Sequence, residues 1–229
     1  MGGYSTKGHL HEELCIPKQD YVLLRRRKRW LLTVVADGLG SHPHSSTGSL
    51  CACIAAAKTA SAYCDGIAGK EETFLINLAK NWHTLIAPYS ANECGTTCLL
   101  ALYLPLSNEL LLAQLGDGEI VCECEGKVMV LLEKQEEFLN ITHSLSKVKP
   151  SEWRFCLLHP GNDGFRLYMH TDGIDILPER RESFLAALSK MSTCCQNDRQ
   201  MTESLRALTI QEYEGATDDD RTLAFMRMK

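Results

Sequence analysis

The chain of 229 residues lacks any apolar run close to the roughly 20 residues that a membrane-spanning helix needs. Its first residues lack the apolar core of a secretory signal. Internal repeats, low-complexity segments and linkers are absent from the sequence as well. We therefore expect a cytoplasmic protein that has no membrane partner and folds as one domain over residues 1–229.

An excess of positive charge is also lacking. The formal net charge of −5 argues against sequence-independent nucleic-acid binding, because such binding relies on neutralising phosphates. The eleven cysteines lack the paired CxxC spacing of structural zinc sites. Most lie in apolar stretches, where a free cysteine acts as a small hydrophobic residue, so we expect a reducing cytosol. A zinc or disulfide role is the alternative.

What the sequence does contain is a continuous apolar run, residues 30–36, that ends in Asp37, Gly38 and, after Leu39, a second glycine. Continuous rather than alternating hydrophobicity predicts a strand buried on both faces, which delivers the Asp37 carboxylate to the end of a sheet. The glycines let the chain turn and bring a carbonyl close to whatever Asp37 binds. A hard cation is the natural ligand, since it prefers oxygen donors. The alternative is an ordinary Asp-Gly turn.

Five consecutive basic residues, Arg25 to Arg29, separate this strand from a shorter apolar stretch at 21–24. Two strands around a basic run predict a hairpin whose tip is solvated. Two alternatives stay open for the run. It could be a nucleic-acid or localisation patch, or it could recruit the acidic surface of a phosphoprotein.

The rest of the chain consists of blocks of predicted helix and strand. An opening strand or extended arm covers residues 1–20, and residues 133–151 form a loop. We predict helices at 50–63, 71–89, 178–190 and 197–208. We predict strands at 96–104, 109–115, 119–123, 127–132, 154–158, 165–170 and 222–228. The four strands between residues 96 and 132 lie so close in sequence that they predict an antiparallel meander.

Acidic residues recur beside these strand ends. Asp20 follows the opening arm, Asp117 lies in a Gly-Asp-Gly turn, Asp172 follows a strand, and residues 218–220 precede the last strand. Such carboxylates can converge on one rim, where like charges repel unless cations lie between them. An all-oxygen site suits Mg²⁺ or Mn²⁺, and two such ions can polarise a phosphoryl group and lower the pKa of a water. The combination indicates phosphate-ester hydrolysis.

Six short motifs, taken in order, give the chain a family resemblance. They are Gln19-Asp20, Val35-Ala36-Asp37-Gly38-Leu39-Gly40-Ser41, Gly95-Thr96-Thr97, Leu115-Gly116-Asp117-Gly118, Thr171-Asp172-Gly173 and Asp218-Asp219-Asp220-Arg221-Thr222. The order resembles the metal-dependent protein phosphatases of the 2C type, most of all the short bacterial members, and covers nearly the whole chain. The resemblance implies an α+β fold, a sandwich of two antiparallel β-sheets flanked by α-helices, with the metals at one end.

The resemblance also implies roles for single residues. Asp37 would bridge two Mg²⁺ or Mn²⁺ ions, and the Gly38 carbonyl would bind one of them. Asp172 and Asp219 would complete the ligands of the other ion. Asp117 would stand with Asp172 beside a third ion.

The implied reaction is hydrolysis of phosphoserine and phosphothreonine by a metal-activated water, without a covalent phosphoenzyme. Asp20 would hold water of the metal shell, with Gln19 at the position where many members have Glu. Residues 95–97 would support the sheet beside the site. The implied partner is a phosphoprotein substrate with its cognate serine/threonine kinase, and we expect a monomer.

Two positions depart from the family pattern. Leu39 stands where many members have a histidine that is proposed as the general acid, so His42, His44 or water on the metals would have to replace it. The arginine that holds the substrate phosphate has no counterpart near the N-terminus. His11 lies near that place and would bind the phosphate, unless it is an ordinary packed histidine. The departures leave two alternatives, a catalytically weak or inactive binding module and a small-molecule phosphatase.

Overall fold

Two five-stranded antiparallel sheets pack face to face in the computed structural model, which describes residues 1–131, 143–213 and 217–228. Sheet I has the strand order β1-β10-β9-β6-β7, and sheet II has the order β2-β3-β4-β5-β8. The strands are β1 (Gly2–Thr6), β2 (Tyr21–Arg26), β3 (Leu31–Ala36), β4 (Cys98–Leu104), β5 (Glu109–Leu115), β6 (Glu119–Cys124), β7 (Lys127–Leu131), β8 (Arg154–Leu158), β9 (Phe165–His170) and β10 (Arg221–Met228).

Helices cover the outer face of each sheet, which confirms the predicted sandwich flanked by helices. The helices are α1 (His9–Glu13), α2 (Ser45–Ala62), α3 (Glu71–Leu85), α4 (Arg181–Cys194) and α5 (Asp198–Tyr213). Helices α2 and α3 share an apolar core with sheet II, and α4 and α5 share another with sheet I. A third apolar core fills the space between the sheets. None of the described helices is long and apolar enough to cross a membrane.

Strand β3 shows why its sequence is continuously apolar. All six of its residues are buried. Leu31 and Val35 point into the core between the sheets, whereas Leu32 and Val34 point into the core under α2 and α3. Both faces are therefore removed from water, as predicted, and the strand leads directly to Asp37 at one end of the sandwich.

The predicted meander is wrong in its middle. β4 pairs with β5 and β6 pairs with β7, but β5 pairs with β8 and β6 with β9, so β5 and β6 belong to different sheets. The Gly-Asp-Gly segment is thus a crossover between the sheets. Gly116 has a φ of +98°, and a Cβ on Gly118 would lie 2.5 Å from the His170 carbonyl oxygen. The crossover therefore passes too close to β9 for a larger residue.

Other element boundaries differ in smaller ways. The opening arm contains α1 as well as β1, and α2 begins at Ser45 rather than residue 50. The helix predicted at 178–190 starts with a 3₁₀ turn, Pro178–Arg180, before α4. The predicted loop at 133–151 lies mostly outside the described residues, and its described part ends in a 3₁₀ turn, Pro150–Glu152.

The cysteines behave as small hydrophobic residues. Each of the eleven has a free thiol, and six of them are buried. Burial raises the pKa of the Cys98 thiol to about 12, so this side chain stays protonated at neutral pH.

Candidate metal centre

Asp37 lies at the end of β3, where two threonines that directly precede β4, Thr96 and Thr97, fix its backbone. Its N–H donates to Thr97 Oγ1 at 2.9 Å, and its carbonyl accepts from Thr97 N at 2.8 Å and from Thr96 Oγ1 at 2.8 Å. These bonds continue the β3–β4 pairing by one residue, so the carboxylate has a defined direction at the rim. The prediction that residues 95–97 support the sheet beside the site agrees with this arrangement.

Gly38 follows in a position that no larger residue could occupy. A Cβ there would lie 2.7 Å from the Ser45 carbonyl oxygen, at the start of α2. The Gly38 N–H donates to the Gln19 carbonyl at 3.2 Å, and Gly38 pairs with Thr96 as an isolated β-bridge. The backbone is therefore held beside Asp37. That its carbonyl binds a metal stays a prediction.

Three acidic side chains meet at this rim, from three different parts of the fold. Oxygens of Asp37, Asp117 and Asp172 all lie within 4.8 Å of one another. Asp37 follows β3, Asp117 lies in the crossover between β5 and β6, and Asp172 follows β9. Asp37 is partly exposed and the other two are exposed, so the three carboxylates, here named the open cluster, face solvent. The sequence interpretation that strand-end carboxylates converge is correct for these three.

Asp219 lies next to the open cluster. One of its oxygens, Oδ1, accepts the Asp220 N–H at 2.7 Å, which orients the carboxylate. Its charge raises the pKa of both Asp37 and Asp172, so its carboxylate lies close to both of them. The structure thus brings four of the predicted site residues to one rim.

The carboxylates of the open cluster repel one another. Desolvation raises the pKa of Asp37 well above its usual range, and the charges of Asp20 and Asp172 raise it further. Partial desolvation also raises the pKa of Asp172, together with the charges of Asp117 and Asp219. Carboxylates this close need either protons or cations between them. Oxygen donors alone are the ligand set that Mg²⁺ and Mn²⁺ prefer, so the residues present fit such ions.

Asp20 lies behind the open cluster and is buried, with 1% of its surface exposed. Its Oδ2 accepts from Thr171 Oγ1 and Thr222 Oγ1, each at 2.7 Å. Burial raises its pKa to about 7, although the hydroxyl groups of Thr222 and Thr171 and a hydrogen bond with Asp37 oppose the shift. Asp20 therefore connects the open cluster to β9 and β10.

Asp220 is the residue that sequence reasoning missed. It is 1% exposed, and its carboxylate accepts backbone N–H groups of Gly8 at 2.7 Å, Gln19 at 2.5 Å and Asp20 at 3.2 Å. It thereby attaches two N-terminal segments to the start of β10. Its place in a run of three aspartates conceals this role, because the run gives no sign of which member points inward.

His11 lies at the same anchor rather than in the open cluster. Its Nδ1 is 3.0 Å from Asp220 Oδ1, and its side chain is 12% exposed. The interpretation as a packed histidine agrees with this contact, and the phosphate contact stays a prediction.

The residue at the general-acid position and the two histidines near it have different surroundings. Leu39 is partly buried, and its N–H donates to the Gly95 carbonyl at 3.0 Å. His42 Nδ1 accepts the Gly95 N–H at 3.1 Å, which leaves Nε2 as the proton-bearing nitrogen of the neutral ring. The His44 ring stacks on Tyr89, with centroids 3.8 Å apart.

Comparisons with known proteins agree with this geometry. The family model described as protein phosphatase 2C matches residues 7–208. No curated protein matches the chain by sequence. Among solved structures, RsbX in complex with magnesium has a TM-score of 0.62 and 16% identity, over 99% of this chain and 94% of that one. PppA, a regulatory component of T6SS in Pseudomonas aeruginosa, has a TM-score of 0.67 and 16% identity, over 99% and 96%.

A third similar structure is the catalytic domain of the serine/threonine protein phosphatase PstP in complex with two manganese ions. Its TM-score is 0.60 and its identity 17%, over 100% of this chain and 97% of that one. At such identities the structural likeness establishes the fold, while the family model covers most of the sequence. The chain therefore belongs to the protein phosphatase 2C family.

Proposed function

We propose that residues 1–229 form a single catalytic domain that hydrolyses phosphoserine and phosphothreonine in proteins with the help of Mg²⁺ or Mn²⁺. The observation that carries the proposal is the open cluster, with oxygens of Asp37, Asp117 and Asp172 within 4.8 Å of one another. Relatives of the same fold support it, since RsbX was solved with magnesium and PstP with two manganese ions. We further propose a cytoplasmic location and a substrate phosphorylated by a serine/threonine kinase.

Five groups would hold the ions. They are the carboxylates of Asp37, Asp117, Asp172 and Asp219 and the backbone carbonyl of Gly38, with Asp37 shared by the two main ions and Asp117 and Asp172 available to a third. Bound Mg²⁺ or Mn²⁺ supplies Lewis acidity toward the phosphoryl oxygens and lowers the pKa of water.

The chain's own groups position the reactants. Asp20 is fixed by Thr171 and Thr222 and lies against Asp37, so it is suited to accept a hydrogen bond from the attacking water. Leu39 carries no proton for the departing alkoxide, so we propose slow turnover. General acid help is worth about a hundredfold or more, and its absence slows hydrolysis without abolishing it.

The test combines metal binding with phosphate release. Purified protein with millimolar Mn²⁺ should release phosphate from a phosphothreonine peptide, and calorimetry should detect the ions. Asp37→Asn should lose both properties, whereas Asp175→Asn, an exposed aspartate three residues beyond Asp172, is the matched control and should keep them. Wild-type protein that binds Mn²⁺ but hydrolyses neither a phosphopeptide nor an aryl phosphate would contradict the proposal.

Leu39 favours one alternative, a binding module on the phosphatase fold. Such a module would bind a phosphoprotein without needing metal, so calorimetry with and without chelator separates the two functions. The clustered carboxylates argue against it, because a pure binding scaffold gains nothing from unneutralised charge at this rim. A small-molecule phosphatase shares the chemistry, and a preference for free metabolite-sized phosphate esters over phosphopeptides in the same assay would favour it.

A further inference from the structure

The last two residues of β2 and the turn that follows carry five consecutive exposed cations, Arg25 to Arg29, here named the basic tip. We propose that the basic tip is a docking surface for an acidic segment of the protein substrate, remote from the phosphorylated residue. The inference rests on the proposed function, since it supplies a substrate-recognition element for the same reaction.

The basic tip is held rigidly by the strands on either side. Arg26 pairs with Leu31 at the end of the β2–β3 ladder, and the turn is closed by the Arg27 N–H, which donates to the Trp30 carbonyl at 2.8 Å. Trp30 is 7% exposed and belongs to the core under α2 and α3. The cations are therefore presented on a fixed support, which reduces the entropy lost when a partner binds.

Intramolecular pairing neutralises two of the five charges. Arg26 donates from Nε and Nη2 to the two oxygens of Asp198, at 3.2 and 3.1 Å, and Arg29 pairs with Asp65. Within the part of the chain that the structure describes, Arg25, Arg27 and Lys28 form no ion pair. Three exposed charges thus lie within four consecutive residues, 25–28.

The net charge of the residues outside the basic tip indicates which kind of anionic partner can bind there. The five cations carry +5 and the whole chain −5, so all other residues together carry −10. An extended polyanion such as RNA would meet this negative surface beyond the basic tip, and three free cations are few for phosphate neutralisation. An anionic membrane gains only about 1 kcal/mol per basic residue near it, so three residues give weak attachment. A short acidic peptide segment matches the small size of the surface.

The position of the basic tip sets the spacing within the substrate. β2 begins directly after Asp20 at the metal end and leads away from it, so its six residues place the basic tip about 17–20 Å from the carboxylates. An extended peptide covers about 3.3–3.6 Å per residue. An acidic segment that reaches the basic tip therefore lies about six or more residues from the phosphorylated residue.

The test uses a triple variant, Arg25→Gln, Arg27→Gln and Lys28→Gln, with a matched control that loses the same charge elsewhere, Lys58→Gln, Lys80→Gln and Lys190→Gln. All six residues are exposed. The first probe is a fluorescent, unphosphorylated peptide with four glutamates, so binding is measured independently of catalysis. We expect the triple variant to bind about tenfold more weakly than the control, and the wild-type affinity to fall as salt rises.

The second probe is a pair of phosphothreonine peptides with the four glutamates either eight residues away or adjacent to the phosphothreonine. The distant arrangement should lower KM about tenfold at unchanged kcat, and the triple variant should abolish the difference. Equal peptide binding by the triple variant and its control would overturn the inference. So would tighter, tip-dependent binding of single-stranded RNA or of vesicles with anionic lipid. Failure of the proposed function looks different, because no phosphopeptide would be hydrolysed while the unphosphorylated peptide still bound.

Discussion

Two groups of aspartates lie at the same end of the sandwich and have opposite surroundings. Asp20 and Asp220, the buried pair, are each 1% exposed, and hydrogen-bond donors surround them. The open cluster faces solvent, and desolvation together with neighbouring carboxylates raises the pKa of Asp37 and of Asp172. Aspartates therefore hold chain segments together in the buried pair, whereas in the neighbouring open cluster they concentrate negative charge.

The difference separates structural from chemical roles. A buried carboxylate that accepts several N–H or O–H bonds holds segments together, and removing it leaves those donors unsatisfied. Carboxylates that face one another repel and cost free energy until a cation neutralises them. The buried pair should thus matter most for folding, and the open cluster for metal binding.

The largest expected effect is that of Asp220→Ala on stability. Three backbone N–H groups lose their acceptor in the interior, which should lower the free energy of unfolding by about 3–5 kcal/mol. Urea unfolding of metal-free protein measures the change. Asp220→Asn retains one oxygen acceptor and should lose about half as much, which keeps the comparison measurable if the alanine variant does not fold.

The matched change in the open cluster is Asp172→Ala, which removes a like charge and should not lower the free energy of unfolding of metal-free protein by more than about 0.5 kcal/mol. Asp218→Ala, at an exposed neighbour of the buried pair, is the control for the sequence context. A loss at Asp172 as large as that at Asp220 would remove the distinction between the two groups.

Metal binding should stabilise the folded protein through the open cluster. At a Mn²⁺ concentration about a hundred times its Kd, the gain is about 2.7 kcal/mol for one site, seen as a rise in Tm. Asp172→Asn should lose most of this rise and Asp175→Asn should retain it. An equal rise in both variants would show that the ions bind elsewhere.

The pH dependence of metal-free protein offers a smaller effect with a definite sign. Asp20 has its pKa raised from 3.8 to about 7 by burial, so between pH 4 and pH 7 the folded state retains a proton that the unfolded state has lost. Stability should therefore fall as pH rises from 5 to 7, by about 1–2 kcal/mol. The measurement is the free energy of unfolding against pH for wild type and for Asp20→Asn. The difference between the two curves removes the contribution of the histidines, because both proteins contain them. Saturating Mn²⁺ should abolish this difference, and a stability that increases over this range contradicts the assignment.

Much of the fold and the open cluster could be predicted because they depend on local patterns. The apolar run of β3 has both faces buried, and Asp37, Asp117 and Asp172 each follow or precede a strand next to glycine. The family motifs then indicate that these aspartates, which follow different strands, belong to one site. The crossover at Gly116–Gly118 could not be told from a hairpin turn, because a tight glycine turn looks alike whether the next strand joins the same sheet or the opposite one.

The buried pair could be predicted less well, because its partners are distant in sequence. Asp220 contacts the backbone of Gly8 across 212 residues, and no periodicity or spacing signals such a bond. Asp20 meets Thr171 and Thr222, and the threonines in the Thr-Asp-Gly and Arg-Thr motifs were the available signal. A threonine close in sequence to an aspartate of this rim can thus indicate a donor to a buried acid.

A further small effect is expected at His11, which either supports Asp220 of the buried pair or binds the substrate phosphate. His11→Gln retains a side-chain donor toward Asp220, and His11→Ala removes it, so the alanine variant should be about 1 kcal/mol less stable than the glutamine variant. If His11 acts through Asp220 alone, KM for a phosphopeptide should be that of the wild type in both variants. A KM that rises in both, with stability unchanged in the glutamine variant, would instead support the predicted phosphate contact, because the imidazole itself would then be required.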